Sequence, residues 1–142
     1  MKVRVLEKHI IEDCGVDSFT NELYNLIVNR YKGSNVENIN IIDFNDLYNL
    51  NIGKYSEEVS KKIRQDILTS LSYLCSPRIK LFKMVYEYQH GMFMARINLK
   101  KINKALETGE FENPFTGTLD PDFATKLYIS YDLTVRAKAL LK

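Results

Sequence analysis

SEEVSKKIRQDILTSLSYLCSP, residues 56–77, is the stretch that decides how this chain is read. Ser56 offers a hydroxyl to the free N–H groups of a first helical turn, and Glu57 and Glu58 follow where the positive end of a helix dipole favours carboxylates. Val59, Ile63, Ile67, Leu71 and Leu74 then recur at helical spacing on one face, while Lys61, Lys62, Gln65, Thr69 and Ser72 share the opposite one. The pattern predicts one continuous amphipathic helix from Ser56 to Cys75, stopped by Pro77, with a core face and a wet face carrying little acid.

Downstream, Ile79 to Gln89 and Met92 to Ile97 are rich in β-branched, aromatic and methionine residues, and His90-Gly91 between them predicts a tight hairpin turn. Phe93, Ala95 and Ile97 alternate with Met94, Arg96 and Asn98, whereas the first strand is apolar on both faces and is expected to be covered. Upstream, Ser18 caps a helix carrying Phe19, Leu23, Leu26, Ile27 and then Val28 or Tyr31, with Lys32-Gly33 as its stop. After a polar link, Ile39 to Ile42 reads as a small edge strand, and Asp43 as the cap of a short helix from Phe44 to Leu50, ended by Asn51 and Gly53. At the start of the chain Val3, Val5 and Leu6 alternate with charged residues, the pattern of a short strand or an arm.

Beyond the hairpin, Asn98 caps a helix from Leu99 to Thr108, closed by Gly109, with Leu99, Ile102 and Leu106 inward and Lys100, Lys101 and Lys104 outward. GEFENPFTGTLDP, residues 109–121, concentrates turn formers and reads as a connector. Asp120-Pro121 then supplies a cap and a first-turn proline for a last helix running to about Leu141. That segment carries Phe123, Leu127, Tyr128, Tyr131, Val135, Leu140 and Leu141, so it is expected to pack on the hairpin or against another subunit.

At 142 residues, 45% hydrophobic and 27% charged, the chain is expected to form one folded domain, residues 1–142. A formal net charge of +2 is too small to act as a global footprint for DNA, so any nucleic-acid contact must be local. Cys14 and Cys75 lie far apart, and the apolar clusters near the start are too short for a secretory or membrane-spanning segment. The expected setting is a reducing cytoplasm, with no membrane partner.

Catalytic signatures are not found. The glycines are scattered singly, where a phosphate-cradling loop needs them clustered, and Cys14, Cys75, His9 and His90 have no paired spacing for zinc. Glu110, Glu112, Asp120 and Asp122 lack the glycine and terminal glutamate of a calcium loop and read as a helix cap and solvated carboxylates. His90 reads as an exposed hairpin residue with no nucleophile signature beside it. The expectation is a non-enzymatic protein without cofactor or metal.

Taken in order, helix, small strand, short helix, long helix and two-stranded hairpin over Ser18 to Asn98 resemble the winged helix-turn-helix superfamily in topology. The resemblance implies an α+β fold with a winged-helix-like core at 18–98, a two-stranded wing and a C-terminal helical extension at 99–142. It further implies binding of double-stranded DNA through the polar face of helix 56–75, with docking of protein partners as the other common use. Lys61, Lys62, Arg64, Gln65 and Thr69 supply the cationic and amide groups that phosphates and base edges require, and Lys54 and Tyr55 precede them in the turn. For the alternative, an adaptor subunit of a larger bacterial or phage assembly, or a homodimer, the docking residues are Tyr86, Tyr88, Met92, Met94, Tyr128 and Tyr131.

Overall fold

The computed structural model describes the backbone of residues 3–142, and side-chain burial from residue 5 onward. The chain is a mixed α+β protein. Its helices are α1 (Val3–Cys14), α2 (Phe19–Tyr31), α3 (Ile41–Leu47), α4 (Glu57–Leu74), α5 (Leu99–Thr108) and α6 (Val135–Leu140). The strands β1 (Asn38–Asn40), β2 (Phe82–His90), β3 (Phe93–Ile97) and β4 (Leu127–Leu133) hydrogen-bond in the order β1-β4-β2-β3. Two compact units divide the chain: one holds residues 1–83 and 132–142, the other residues 84–131.

The first unit is mostly helical. The amino-terminal run is α1 rather than a strand, because Leu6 and Ile10, both fully buried, stand one helical turn apart and outweigh the two-residue alternation before them. Tyr73 near the end of α4 donates to Asp13, and Arg78 bonds Glu12 at 3.0 Å and Asp13 at 2.9 Å, so α1 is tied to the far end of α4. Ser18 caps α2 as expected, its hydroxyl accepting from the Asn21 N–H at 3.1 Å. The edge strand is shorter than predicted and α3 starts earlier. Asn40, not Asp43, is the N-cap, and Asp43 closes a reciprocal capping box three residues later. A 3-10 turn at Leu50–Ile52 then leads toward α4.

In α4 the boundaries match the sequence pattern: Ser56 caps Val59 at 3.3 Å, and Cys75 is the C-cap. Its inner face is shifted slightly, with Ser60, Ile67, Ser70, Leu71 and Leu74 buried and Val59 exposed in the open first turn. Ser70 meets Thr20 of α2, their hydroxyls 2.8 Å apart. Residues 132–142 complete this unit. Leu133 N–H donates to Glu37 C=O at 2.9 Å, Gly33 N–H to Leu141 C=O at 2.6 Å, and the Thr134 hydroxyl to the carbonyls of Lys80 and Leu81. Cys14 and Cys75 are not joined by a disulfide.

The second unit is built on the hairpin. His90 pairs with Phe93, so the reversal is made by Gly91-Met92 instead of His90-Gly91; Gly91 takes φ 59° at the first loop position, where a side chain would be strained. Asn98 caps α5 and Gly109 ends it, both as predicted. The inward residues of α5 are Ile102 and Ala105, while Leu99 and Leu106 are exposed, which rotates the buried stripe away from the larger leucines. Ile102, Ala105, Tyr88, Ile97, Phe111 and Phe123 form one core cluster.

No last helix runs from Asp120 to Leu141. A 3-10 turn at Phe123–Lys126 leads into β4, and only six residues after it are helical, so the expected C-terminal helical extension is replaced by a sheet strand. Tyr128, Ile129, Ser130, Tyr131 and Leu133 include the β-branched and aromatic residues that suit a strand, and β4 lies between β1 and β2 in the sheet. Insertion of β4 also gives β2 a hydrogen-bonded neighbour along each edge. The hairpin expected to stand as a two-stranded wing is thus part of a four-stranded sheet.

Candidate nucleic-acid interface

Helix α4 carries the predicted contact residues on a rigid rod. Lys61, Lys62, Gln65 and Thr69 are exposed opposite the buried Ile67, Ser70 and Leu71, and Arg64 is exposed at the border of the buried face. The period that places leucine and isoleucine in the core places Lys61, Lys62, Gln65 and Thr69 outside. Lys62 reaches Asp66 one turn on at 2.9 Å, an exposed pair that leaves most of its ammonium in water. Thr69 donates its hydroxyl back to the Gln65 carbonyl at 3.0 Å, so its oxygen remains an outward acceptor. Lys54 and Tyr55 are exposed in the turn ahead of the helix, and the Lys54 ammonium lies 5.4 Å from the Tyr55 ring centre. Such a face can meet phosphate oxygens through Lys61 and Arg64 and base edges through Gln65.

Residues predicted for partner docking separate into two sets. Met92 at 96% exposure, Met94 and Tyr128 are open to solvent, and Tyr86 is partly buried against the core cluster of the second unit. Tyr88 and Tyr131 are buried, so they do not offer a surface; each is taken up by the fold itself. Phe93, which belongs to the same aromatic and methionine-rich tip in the sequence, and Phe115, which the sequence pattern did not single out, extend the open set, their rings 5.9 Å apart.

A buried polar network in the second unit was not foreseen. Asp120 is not a helix cap. Its Oδ2 accepts from the Tyr88 hydroxyl at 2.6 Å and from the Lys126 ammonium at 2.7 Å, and its Oδ1 accepts from the Asp122 N–H at 2.9 Å. Hydrogen bonds from Lys126 and Tyr88 hold its carboxyl down at about 2 against burial, the bond to Asp120 holds Lys126 above its ordinary range, and burial with that same bond raises Tyr88. Asn113 is likewise buried, and its Oδ1 accepts from the N–H groups of Phe115 at 2.8 Å and Thr116 at 3.3 Å. The only hint in the sequence was the turn chemistry of Asn113 and Asp120, which says that the side chain bonds locally and nothing of Tyr88 or Lys126.

Among the described residues no cluster of histidine, cysteine and carboxylate side chains is placed to hold a metal ion, and no helix is long and apolar enough to cross a membrane. Comparison of the chain with family models, curated proteins and solved structures finds no match.

Proposed function

We propose that this protein is a winged-helix-type, non-enzymatic binder of double-stranded DNA, acting as a regulator, with α4 as the recognition helix. The observation that carries the reading is the outward set Lys61, Lys62, Arg64, Gln65 and Thr69 on a continuous helix whose opposite side is sealed into the first unit. The order α2, β1, α3, α4, β2, β3 supports it. Contacts would begin with phosphates at Lys54, Lys61 and Arg64, and Gln65 and Thr69 would reach base edges. With a net charge of only +2, attraction comes from this face and not from the bulk of the protein.

Fluorescence anisotropy with labelled duplexes over a salt series tests this. The double variant Lys61→Glu/Lys62→Glu is expected to bind at least about tenfold more weakly, with the slope of log K against log salt reduced by about two. Wild-type affinity in that variant removes α4 from the interface.

A second reading, an adaptor subunit of a larger assembly, is favoured by the second unit alone. Met92, Phe93 and Phe115 expose apolar side chains at the hairpin end, with the Phe93 and Phe115 rings 5.9 Å apart, and Met94 exposes another on the other face of β3. Met92→Lys/Phe93→Lys would then abolish self-association or partner capture, measured by sedimentation, and leave duplex binding unchanged.

A further inference from the structure

At the base of the hairpin loop the second unit has a cleft of about 440 Å³ lined by Gln89, His90, Gly91, Lys126 and Tyr128. Its size falls in the range of roughly 300–1,000 Å³ usual for small-molecule sites. No carboxylate is among the lining residues, and what the lining presents is mostly hydrogen-bond donors.

Lys126 and His90 are held in place by the fold. Lys126 gives one N–H to Asp120 at 2.7 Å, and Asp120 is already served by Tyr88 and the Asp122 N–H, so the carboxylate is anchored from behind and the remaining ammonium hydrogens are available to the cleft. The side chain of Lys126 is 41% exposed, so these hydrogens are open to a ligand. For His90 the tautomer follows from its neighbours. Asn113 Oδ1 is occupied by two backbone N–H groups, which turns its Nδ2 donor toward His90 Nδ1 at 3.2 Å. Nδ1 is therefore the acceptor, and the neutral ring carries its proton on Nε2. Stacking on Phe115, 5.8 Å between centres and 23° between planes, holds the imidazole in place. Tyr128 is half exposed and contributes a phenolic O–H, while the Gln89 amide is turned to its own hairpin, donating to Gly91 C=O at 3.1 Å.

We propose that this cleft binds the phosphoryl group of a small phosphorylated molecule, with Lys126, His90 Nε2–H and Tyr128 O–H each donating to one of its terminal oxygens. Three donors from separate side chains match three oxygens. A carboxylate offers only two oxygens and leaves one of the three donors unused. Because Asp120 neutralises much of the Lys126 charge, the bare anion is expected to bind weakly, with a dissociation constant on the order of millimolar, and the remaining volume would hold the organic part of the ligand. This site is independent of the DNA-binding reading and uses no residue of α4.

The test is a ¹H–¹⁵N NMR titration of the full chain with inorganic phosphate up to about 50 mM, with acetate at matched ionic strength as the second arm. Saturable shifts centred on Gln89, His90, Gly91, Lys126 and Tyr128 are expected with phosphate, and at least about fivefold weaker binding with acetate. Lys126→Gln should remove the phosphate response, and Tyr128→Phe, which deletes one exposed hydroxyl without touching the core, should weaken it by about threefold. Absence of saturable shifts, an equal response to acetate, or an unaltered response in Tyr128→Phe would each overturn the assignment, and the last remains readable even if Lys126→Gln fails to fold.

Discussion

Asp120 shows how a single side chain can organise the second unit. Three donors converge on a carboxylate that is 9% exposed, so its proton is bound far more weakly in the folded protein than in the unfolded chain. A group whose folded value, about 2, lies below its ordinary 3.8 adds stability that is complete above 3.8 and is lost as the pH falls through about 2. Acid titration of the thermal midpoint is therefore expected to show a fall in that window for the wild type and a flatter profile for Asp120→Asn. Gly109 makes a different residue-scale case. It ends α5 at φ 76°, where a Cβ is strained although nothing crowds it, so Gly109→Ala should destabilise by about 1 kcal/mol in urea unfolding.

At the scale of elements, α4 combines a cap, a buried stripe and an exposed cationic face in eighteen residues. The cap and stripe support the helix, and the exposed face is free to bind. Ser56→Ala removes the acceptor for the Val59 N–H and is expected to cost about 1 kcal/mol of stability. Leu71→Ala opens a fully buried site and is expected to cost about 2–5 kcal/mol, read from chemical denaturation. The Lys61 and Lys62 reversals together should cost no more than about 1 kcal/mol in the same denaturation, since Lys61 stands in water and Lys62 loses only its exposed pair with Asp66 and gains like-charge neighbours on the helix surface. This contrast separates loss of binding from loss of folding. The segment 120–141 misled for a reason tied to its composition: a proline after an aspartate imitates a helix start, while its β-branched and aromatic residues satisfy strand pairing equally well.

At the scale of the molecule, the first unit is discontinuous in sequence, made from residues 1–83 and 132–142. Its last residues bond back to distant ones: Gly33 to Leu141, Thr134 to Lys80 and Leu81, and Arg136 to Ile79 at 2.9 Å. Ending the chain at residue 131 is therefore expected to abolish cooperative unfolding of the first unit, visible as loss of amide-exchange protection in α2. A truncated chain that kept full protection there would show that the return segment is dispensable.

Sequence alone determined the elements whose signals are local: the caps at Ser18, Ser56 and Asn98, the closing Gly109, the full span of α4 and the wet set Lys61, Lys62, Arg64, Gln65 and Thr69. A helix period and its caps act within a few residues, so a short window contains them. Only the tertiary structure decided that β4 enters the sheet between β1 and β2, that Tyr88 and Tyr131 are interior, and that Asp120 meets Lys126 and Tyr88. Strand pairing and buried polar bonds join residues dozens of positions apart, and which distant groups meet depends on the packing of the whole chain, which no local pattern carries.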